Sequence, residues 1–306
     1  MALKKSLKRL VIGLFLLAGA LGLVAWIMLT WVMIRPPYYQ PTKVQVVELR
    51  SWPDHDSIYQ SAEFPYVLNL RHPEGALTYV GALHTSDAQH PQLQEIQSLW
   101  DEFKPTVAFC EGRERMNRFS SIPEKGTLSE SRMVRILAYQ NDVPLYSLEP
   151  AYADEVAGLL DKFDPKMVAV YTTLRTYTTE AKNVSNDSKE SLALGLLKKR
   201  TNVEGLAGTF TSLKEFDDYW KVHFEDAPDW RTLPNTESVP LLRQVGDVSR
   251  EVRGQHMVAS LSELVGKGER VFAVVGASHV IRQELQLRRL IEGENSVMQT
   301  PQAQGH

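Results

Sequence analysis

Cysteine is nearly absent: Cys110 is the only one among 306 residues. A single thiol excludes an intrachain disulfide framework and any cysteine-based structural zinc site. It leaves the redox compartment open, because chains without cysteine pairs occur on both sides of a membrane. Lying at the end of the apolar run Thr106 to Cys110, it reads as a small buried hydrophobe. A charge excess is missing too. The formal net charge is −3, and no sustained basic face exists for a phosphate backbone, so nucleic acid is not an expected partner. The chain has no Gly-x-Ser-x-Gly elbow, no Walker-type loop and no His-Glu-x-x-His helix. The serine hydrolase, P-loop and ordinary zincin readings therefore fall away. No heptad run supports a coiled-coil oligomer.

What is present begins with an uncharged stretch, Leu10 to Ile34, which as a helix reaches roughly 37 Å and is long enough to span a bilayer. A cleaved signal peptide would have a shorter apolar region, about 7 to 15 residues, so an uncleaved anchor is favoured. Lys4, Lys5, Lys8 and Arg9 precede it and only Arg35 follows closely. This bias predicts a cytosolic N-terminus and a main domain across the membrane, on the periplasmic side in a bacterium. The segment Arg35 to Lys43, with three prolines and two tyrosines, reads as a stiff extended stem. The expected layout is a basic N-terminus at 1–9, an anchor at 10–34, a stem or linker at 35–60, an α/β domain at 61–296 and a polar tail at 297–306. The 43% hydrophobic and 23% charged residues are ordinary globular composition.

Four apolar runs bounded by turn formers or polar residues predict buried strands: Leu77 to Val80, Thr106 to Cys110, Val143 to Leu148 and Val271 to Val275. Between the first two, Leu93, Ile96, Leu99, Trp100 and Phe103 recur at helical spacing until Pro105 stops them. Strand, helix, strand is a parallel βαβ unit. Residues 151–235 carry helical stripes, among them Val156, Leu159, Leu160 and Phe163, and Leu213, Phe216, Trp220 and Phe224. They predict a helical insertion, followed by a long helix from Val239 to Val265. The fold class is α/β: a mixed, largely parallel sheet flanked by helices, with that insertion and an N-terminal transmembrane helix. Leu77 to Trp100 and Val271 to Ile291 both read as strand, Gly-x-x-His, helix, which suggests a duplicated βα unit.

Gly81-Ala82-Leu83-His84 and Gly276-Ala277-Ser278-His279 follow predicted strands, so both histidines should emerge where open α/β sheets place their sites. Two other strands run into Glu111 and Glu149. A carboxylate beside an apolar strand must be paired, protonated or coordinated; a helix N-terminus or an arginine such as Arg113 or Arg115 would serve as the ordinary partner. The remaining histidines, including His55, His90 and His256, read as surface or packing residues. Taken together, two imidazoles and a carboxylate form a ligand set for a divalent metal with open positions, and the spare glutamate could act as a general base.

The stretch Tyr79 to His84, the strand ending Phe109-Cys110-Glu111, Leu145 to Glu149, Val274 to His279, and Arg253 with Met257 on the long helix together resemble the TraB, GumN and Tiki pattern. The segments agree in order and rough spacing across nearly the whole chain beyond the anchor. The resemblance implies the fold shared with erythromycin esterases and ChaN-like haem-binding proteins, and metal-dependent peptidase activity. It implies His84, Glu111 and His279 around a divalent metal, manganese, cobalt or zinc, with Glu149 and Arg253 lining the site in catalytic roles. Arg253 could hold a substrate carboxylate or a developing oxyanion; a salt bridge is its ordinary alternative. Gly254 stands where the family usually has asparagine or aspartate. The expected function is a membrane-anchored hydrolase of peptide or amide bonds, with the bilayer and a peptide or protein substrate as partners. The alternatives are a peptide- or haem-binding module on the same fold and a metal-free esterase.

Overall fold

The computed structural model describes residue 13, residues 15–26 and residues 32–293. Residues 15–26 are helical, and Phe15, Leu16, Leu17, Leu21, Leu23, Val24 and Trp26 are exposed on them. Among the described residues no helix is long and apolar enough to cross a membrane. The expected anchor at 10–34 lies partly outside the described residues, and the segments 1–9 and 297–306 lie wholly outside them.

The elements that follow are β1 (Met33–Ile34), α1 (Trp52–Ser61), β2 (Tyr66–Arg71), β3 (Ala76–Ala82), α2 (Pro91–Phe103), β4 (Val107–Cys110), β5 (Met116–Asn117), α3 (Glu130–Gln140), β6 (Leu145–Ser147), α4 (Tyr152–Leu160), α5 (Pro165–Glu180), α6 (Lys189–Arg200), α7 (Leu213–His223), α8 (Pro240–Gly266), β7 (Arg270–Gly276) and α9 (Ala277–Glu292). They form two compact units. The first holds the residues up to Thr42, Arg50–Leu148 and the residues from Ser260 on; the second holds Lys43–Leu49 and Glu149–Ala259.

The first unit is built on a five-stranded sheet in the order β2-β3-β7-β4-β6. Only the β2–β3 pairing is antiparallel, so the expected mixed, largely parallel sheet is present. Strands β7 and β4 are apolar almost throughout because helices cover both faces of a parallel sheet. On one face, Leu93, Ile96 and Trp100 of α2 and Met133 and Leu137 of α3 pack with Val80, Phe272 and Val274. The Trp100 ring meets Phe272 edge-on at 5.3 Å. On β3, Tyr79 donates its hydroxyl to Gln283 of α9 at 2.9 Å, a partner that allows a tyrosine to be fully buried. Helix α2 starts at a capping His90, whose Nδ1 accepts from the Gln92 N–H at 3.3 Å. It stops where Lys104 turns left-handed just before Pro105, since the residue before proline is disfavoured in α geometry.

Several elements lie outside the expected pattern, among them α1, a helix capped by Ser51 where a stem or linker was expected over 35–60. Strand β2 alternates buried Leu68 and Leu70 with exposed Asn69 and Arg71, the signature of an antiparallel edge rather than of a buried parallel strand. Helix α3 fills the connection between β4 and β6. The expected stem is also more than a linker. Met33–Ile34, the last residues of the expected anchor, form β1 and pair with β5; beyond them Tyr38 bridges in parallel to Ser147, and the Ser147 N–H donates to the Pro37 carbonyl at 2.8 Å. Arg113 donates to the Pro36 carbonyl at 2.6 Å and lies 3.9 Å above the Tyr38 ring. Tyr39 packs edge-on against Phe109 and Tyr146. These tyrosine rings and proline carbonyls close the open edge of β6.

The second unit is helical, as expected for 151–235. Val156, Leu159, Val170, Leu174, Leu197, Phe216, Trp220 and Leu242 form its core. Trp230 is 1% exposed, lies edge-on to Tyr177 and Phe216, and donates its indole N–H to Asp217 at 2.8 Å. The long helix α8 covers the predicted span within one residue at each end, and its final turns, from Ser260, belong to the first unit.

Candidate metal centre

Strands β3, β7 and β4 are neighbours running in parallel, so their carboxyl ends share one edge of the sheet. Each delivers one side chain there. Glu111 follows β4 directly, His84 follows β3 by two residues, and His279 is the third residue of α9, which begins as β7 ends.

Two glycines make this convergence sterically feasible. A Cβ on Gly81 would fall 2.8 Å from Cα of Ala277 and 3.0 Å from Cγ2 of Val280, so β3 must be bare there for α9 to start against it. Gly276 has an ordinary φ of −58°, and its role is one of space. A Cβ on it would sit 3.4 Å from Nε2 of His84 and 3.7 Å from Oε2 of Glu111. The Gly276 N–H donates to Oε2 of Glu111 at 2.9 Å, and Oε1 of Glu111 lies 3.8 Å from Nε2 of His279. One imidazole and one carboxylate thus face a position without a side chain, and a second imidazole lies against that carboxylate. The donors suit a divalent cation, and the space beside two of them is what a Cβ at 276 would fill. Of the expected ligand residues, His84 and Glu111 thus share the space at Gly276, and His279 lies beside the other carboxylate oxygen of Glu111.

The His84 ring is 74% exposed at its side chain, while Glu130 at the start of α3 is 6% exposed. Oε1 of Glu130 lies 2.7 Å from Nδ1 of His84, and Oε2 accepts from the Thr85 N–H at 3.4 Å. The hydrogen bond to Glu130 is the main cause holding the His84 imidazole above its ordinary pKa; burial opposes it, and the charges of Glu111 and Glu130 add to it. Burial pushes the Glu130 carboxyl up, but its hydrogen bonds from His84 and from the backbone of Glu130 and Thr85 outweigh that and leave it low. Two more residues of α3 hold the backbone at Glu111. Ser131 donates to the Glu111 carbonyl at 2.6 Å and Arg135 does so at 3.2 Å. Arg135, 3% exposed, also reaches Sγ of Cys110 at 3.4 Å. Burial pushes the Cys110 thiol up despite this arginine, which makes it a packing residue rather than a nucleophile.

Glu149 and Arg253 belong to the second unit, where they are joined. Nε of Arg253 donates to Oε2 of Glu149 at 2.6 Å, and the second guanidinium nitrogen donates to Oε1. This is the bidentate fork geometry that favours arginine over lysine. The ordinary partner for a strand-end carboxylate therefore exists for both glutamates: an arginine for Glu149, and for Glu111 the N–H at the start of α9. Neither Arg113 nor Arg115 fills that role at Glu111; Arg113 is committed to Pro36 and Tyr38.

Strands β3 and β7, the two strands of the suggested duplication, pair in parallel, but the turns after them differ. His279 lies inside the first turn of α9, whereas His84 lies on a loop and α2 starts only at Pro91. The two histidines therefore reach the same edge by different local routes. His55 is a packing residue, as expected, buried between Trp52 and Tyr59, whereas the capping role of His90 was not foreseen. Glu130, Ser131 and Arg135 were not foreseen. A capping Ser129 before apolar positions Met133, Val134 and Leu137 signals the helix that carries them, but not what its first turn touches.

Compared with known proteins, the chain matches no family model, no curated protein and no solved structure.

Proposed function

We propose that this chain is a metal-dependent hydrolase of peptide or amide bonds, tethered at a membrane surface by its apolar segment 10–34. The observation that carries this reading is that His84 and Glu111 face the bare Gly276, with His279 beside Glu111, at one sheet edge. These three residues would hold a divalent cation, manganese, cobalt or zinc, and leave positions open beside it. When bound, that cation would supply Lewis-acid polarisation of a carbonyl and acidification of water. Glu111 has a second duty, since it also accepts the N–H at the start of α9 and so keeps that turn against β4. The resemblance to the TraB and Tiki pattern supports the same residues, with Glu149 and Arg253 lining the site; Glu149 could then serve as general base, and Arg253 could hold a substrate carboxylate or a developing oxyanion. For the tether, support comes from the helical residues 15–26, whose large apolar side chains face outward in a run that soluble surfaces rarely carry. The charge bias around 10–34 supports a cytosolic N-terminus with the main domain on the other side.

The test is a cleavage assay on the full chain in detergent. The protein is stripped with a chelator, resupplied with manganese, cobalt or zinc singly, and incubated with a peptide library read by mass spectrometry. We expect cleavage with at least one metal and a loss of at least about 100-fold in Glu149→Gln, the size typical of a removed acid–base group. Cleavage unaffected by chelation would favour the metal-free esterase-like reading. Binding without cleavage under every metal would favour a binding module.

A further inference from the structure

We infer that Glu130 is a positioning residue that sets the tautomer and orientation of His84, so that Nε2, and not Nδ1, is the metal-directed nitrogen. The inference rests on the metal-site reading of His84, Glu111 and His279. An ionised carboxylate can only accept hydrogen bonds, so the 2.7 Å contact between Oε1 of Glu130 and Nδ1 of His84 places the ring proton on Nδ1. In the neutral ring Nε2 is then left with its lone pair, and Nε2 is the nitrogen that approaches the bare position at Gly276.

His84 needs such a partner more than His279 does. His279 is held within the first turn of a helix, whereas His84 sits on a loop between β3 and α2 with a side chain 74% exposed. Without Glu130, packing would not choose its rotamer. Glu130 itself is restrained: it is buried, sits in the first turn of α3 behind a capping Ser129, and takes the Thr85 N–H on its second oxygen. The next residue and Arg135 grip the Glu111 carbonyl. A single helix start therefore positions two of the three proposed ligands through separate hydrogen bonds. Carboxylate–histidine–metal relays of this kind orient the ring and raise its basicity, and their removal commonly weakens metal binding by about 10- to 100-fold.

The experiment measures cobalt and zinc affinity by chelator competition on the full chain in detergent. It compares wild type, Glu130→Ala and Glu130→Gln, with circular dichroism to confirm folding. In parallel, the nitrogen spectrum of ¹⁵N-histidine-labelled, metal-free wild type is recorded, with His84→Gln identifying the resonance. We expect affinity to fall about 10- to 100-fold in Glu130→Ala, and less in Glu130→Gln, whose amide oxygen still accepts from Nδ1. At a pH high enough to leave the ring neutral, the His84 spectrum should show a protonated Nδ1 and a bare Nε2, a readout taken on wild type and independent of how Glu130 variants fold. A folded Glu130→Ala with wild-type affinity would overturn the inference while leaving the metal site standing, as would an Nε2-protonated His84. Absence of metal binding by wild type would overturn both.

Discussion

Gly276 bears on the site without contributing a side chain. Its backbone angles suit any residue, and an added Cβ would meet its neighbours at 3.4 Å or more, which is ordinary van der Waals contact. Gly276→Ala should therefore fold with its midpoint essentially unchanged or slightly raised, through the reduced freedom of the unfolded chain. It should also lose at least about 10-fold in metal affinity, because the methyl group occupies the space beside His84 and Glu111. Thermal unfolding and chelator competition on one preparation check both halves. A second prediction concerns Glu263, which accepts from Lys267 at 2.6 Å, the Tyr39 hydroxyl at 2.8 Å and the Thr42 N–H at 2.6 Å. Burial acts to raise its pKa, but these hydrogen bonds prevail and bring it from 4.5 down to about 2. A carboxyl depressed on folding stabilises the native state above its unfolded value and loses that contribution as pH falls. The contribution of Glu263 should thus be complete above about pH 5.5 and vanish progressively from there toward pH 2. Discounted for solvent screening it is on the order of 1 kcal/mol. Denaturant titrations of wild type and Glu263→Gln should converge as pH is lowered from 6 to 3; a gap that stays constant contradicts the assignment.

At the scale of elements, the stem residues make a prediction that separates a linker from a part of the fold. The Arg118 N–H donates to the Val32 carbonyl, β1 pairs with β5, and Pro36 to Tyr39 lie against Arg113, Ser147, Phe109 and Tyr146. A truncation that starts at Trp31 should keep these contacts, whereas one that starts at Lys43 removes them and strips the Glu263 carboxylate of two partners. The second truncation should unfold at lower denaturant by the equivalent of about 2–4 kcal/mol, the range expected when several hydrogen bonds and two packed tyrosines are lost together. Equal midpoints would mean that the segment is only a spacer.

The same elements show what local pattern can and cannot reveal. Strands β4 and β7 were legible because strands covered on both faces need runs of Val, Phe and Ala; β3 was legible although Thr78 interrupts its run, since Leu77, Tyr79 and Val80 keep it apolar. Strand β2 was not, since Asn69 and Arg71 interrupt the run on the face turned to solvent. Helix α3 carries a capping serine and a recognisable apolar stripe, yet the meaning of Glu130 depends on a loop 46 residues away. The strand-end residues His84, Glu111 and His279 could be placed from sequence because chain direction alone puts them at one edge. Their supporting residues could not, since no spacing rule connects α3 to the turn after β3.

At the scale of the whole molecule, the helical unit has a core of its own, and its stability should depend on Trp230. Replacing this fully buried ring by alanine leaves a large cavity beside Tyr177 and Phe216 and should cost about 3–5 kcal/mol, read as a lower unfolding midpoint by intrinsic fluorescence and circular dichroism. The proposed tether, for its part, predicts that the full chain stays with membranes after an alkaline carbonate wash and that a chain starting at Trp31 does not. Release of the full chain by that wash would remove the tether from the proposal without touching the site.

The most direct test of the central claim is metal stoichiometry, measured by plasma mass spectrometry on the full chain in detergent beside folded His84→Ala and His279→Ala variants. The proposal predicts near one divalent ion per wild-type chain and a loss of that ion in both variants, although the two histidines lie 195 positions apart in the sequence. No metal in the wild type after supplementation with manganese, cobalt and zinc, or metal retained in full by both variants, would contradict it.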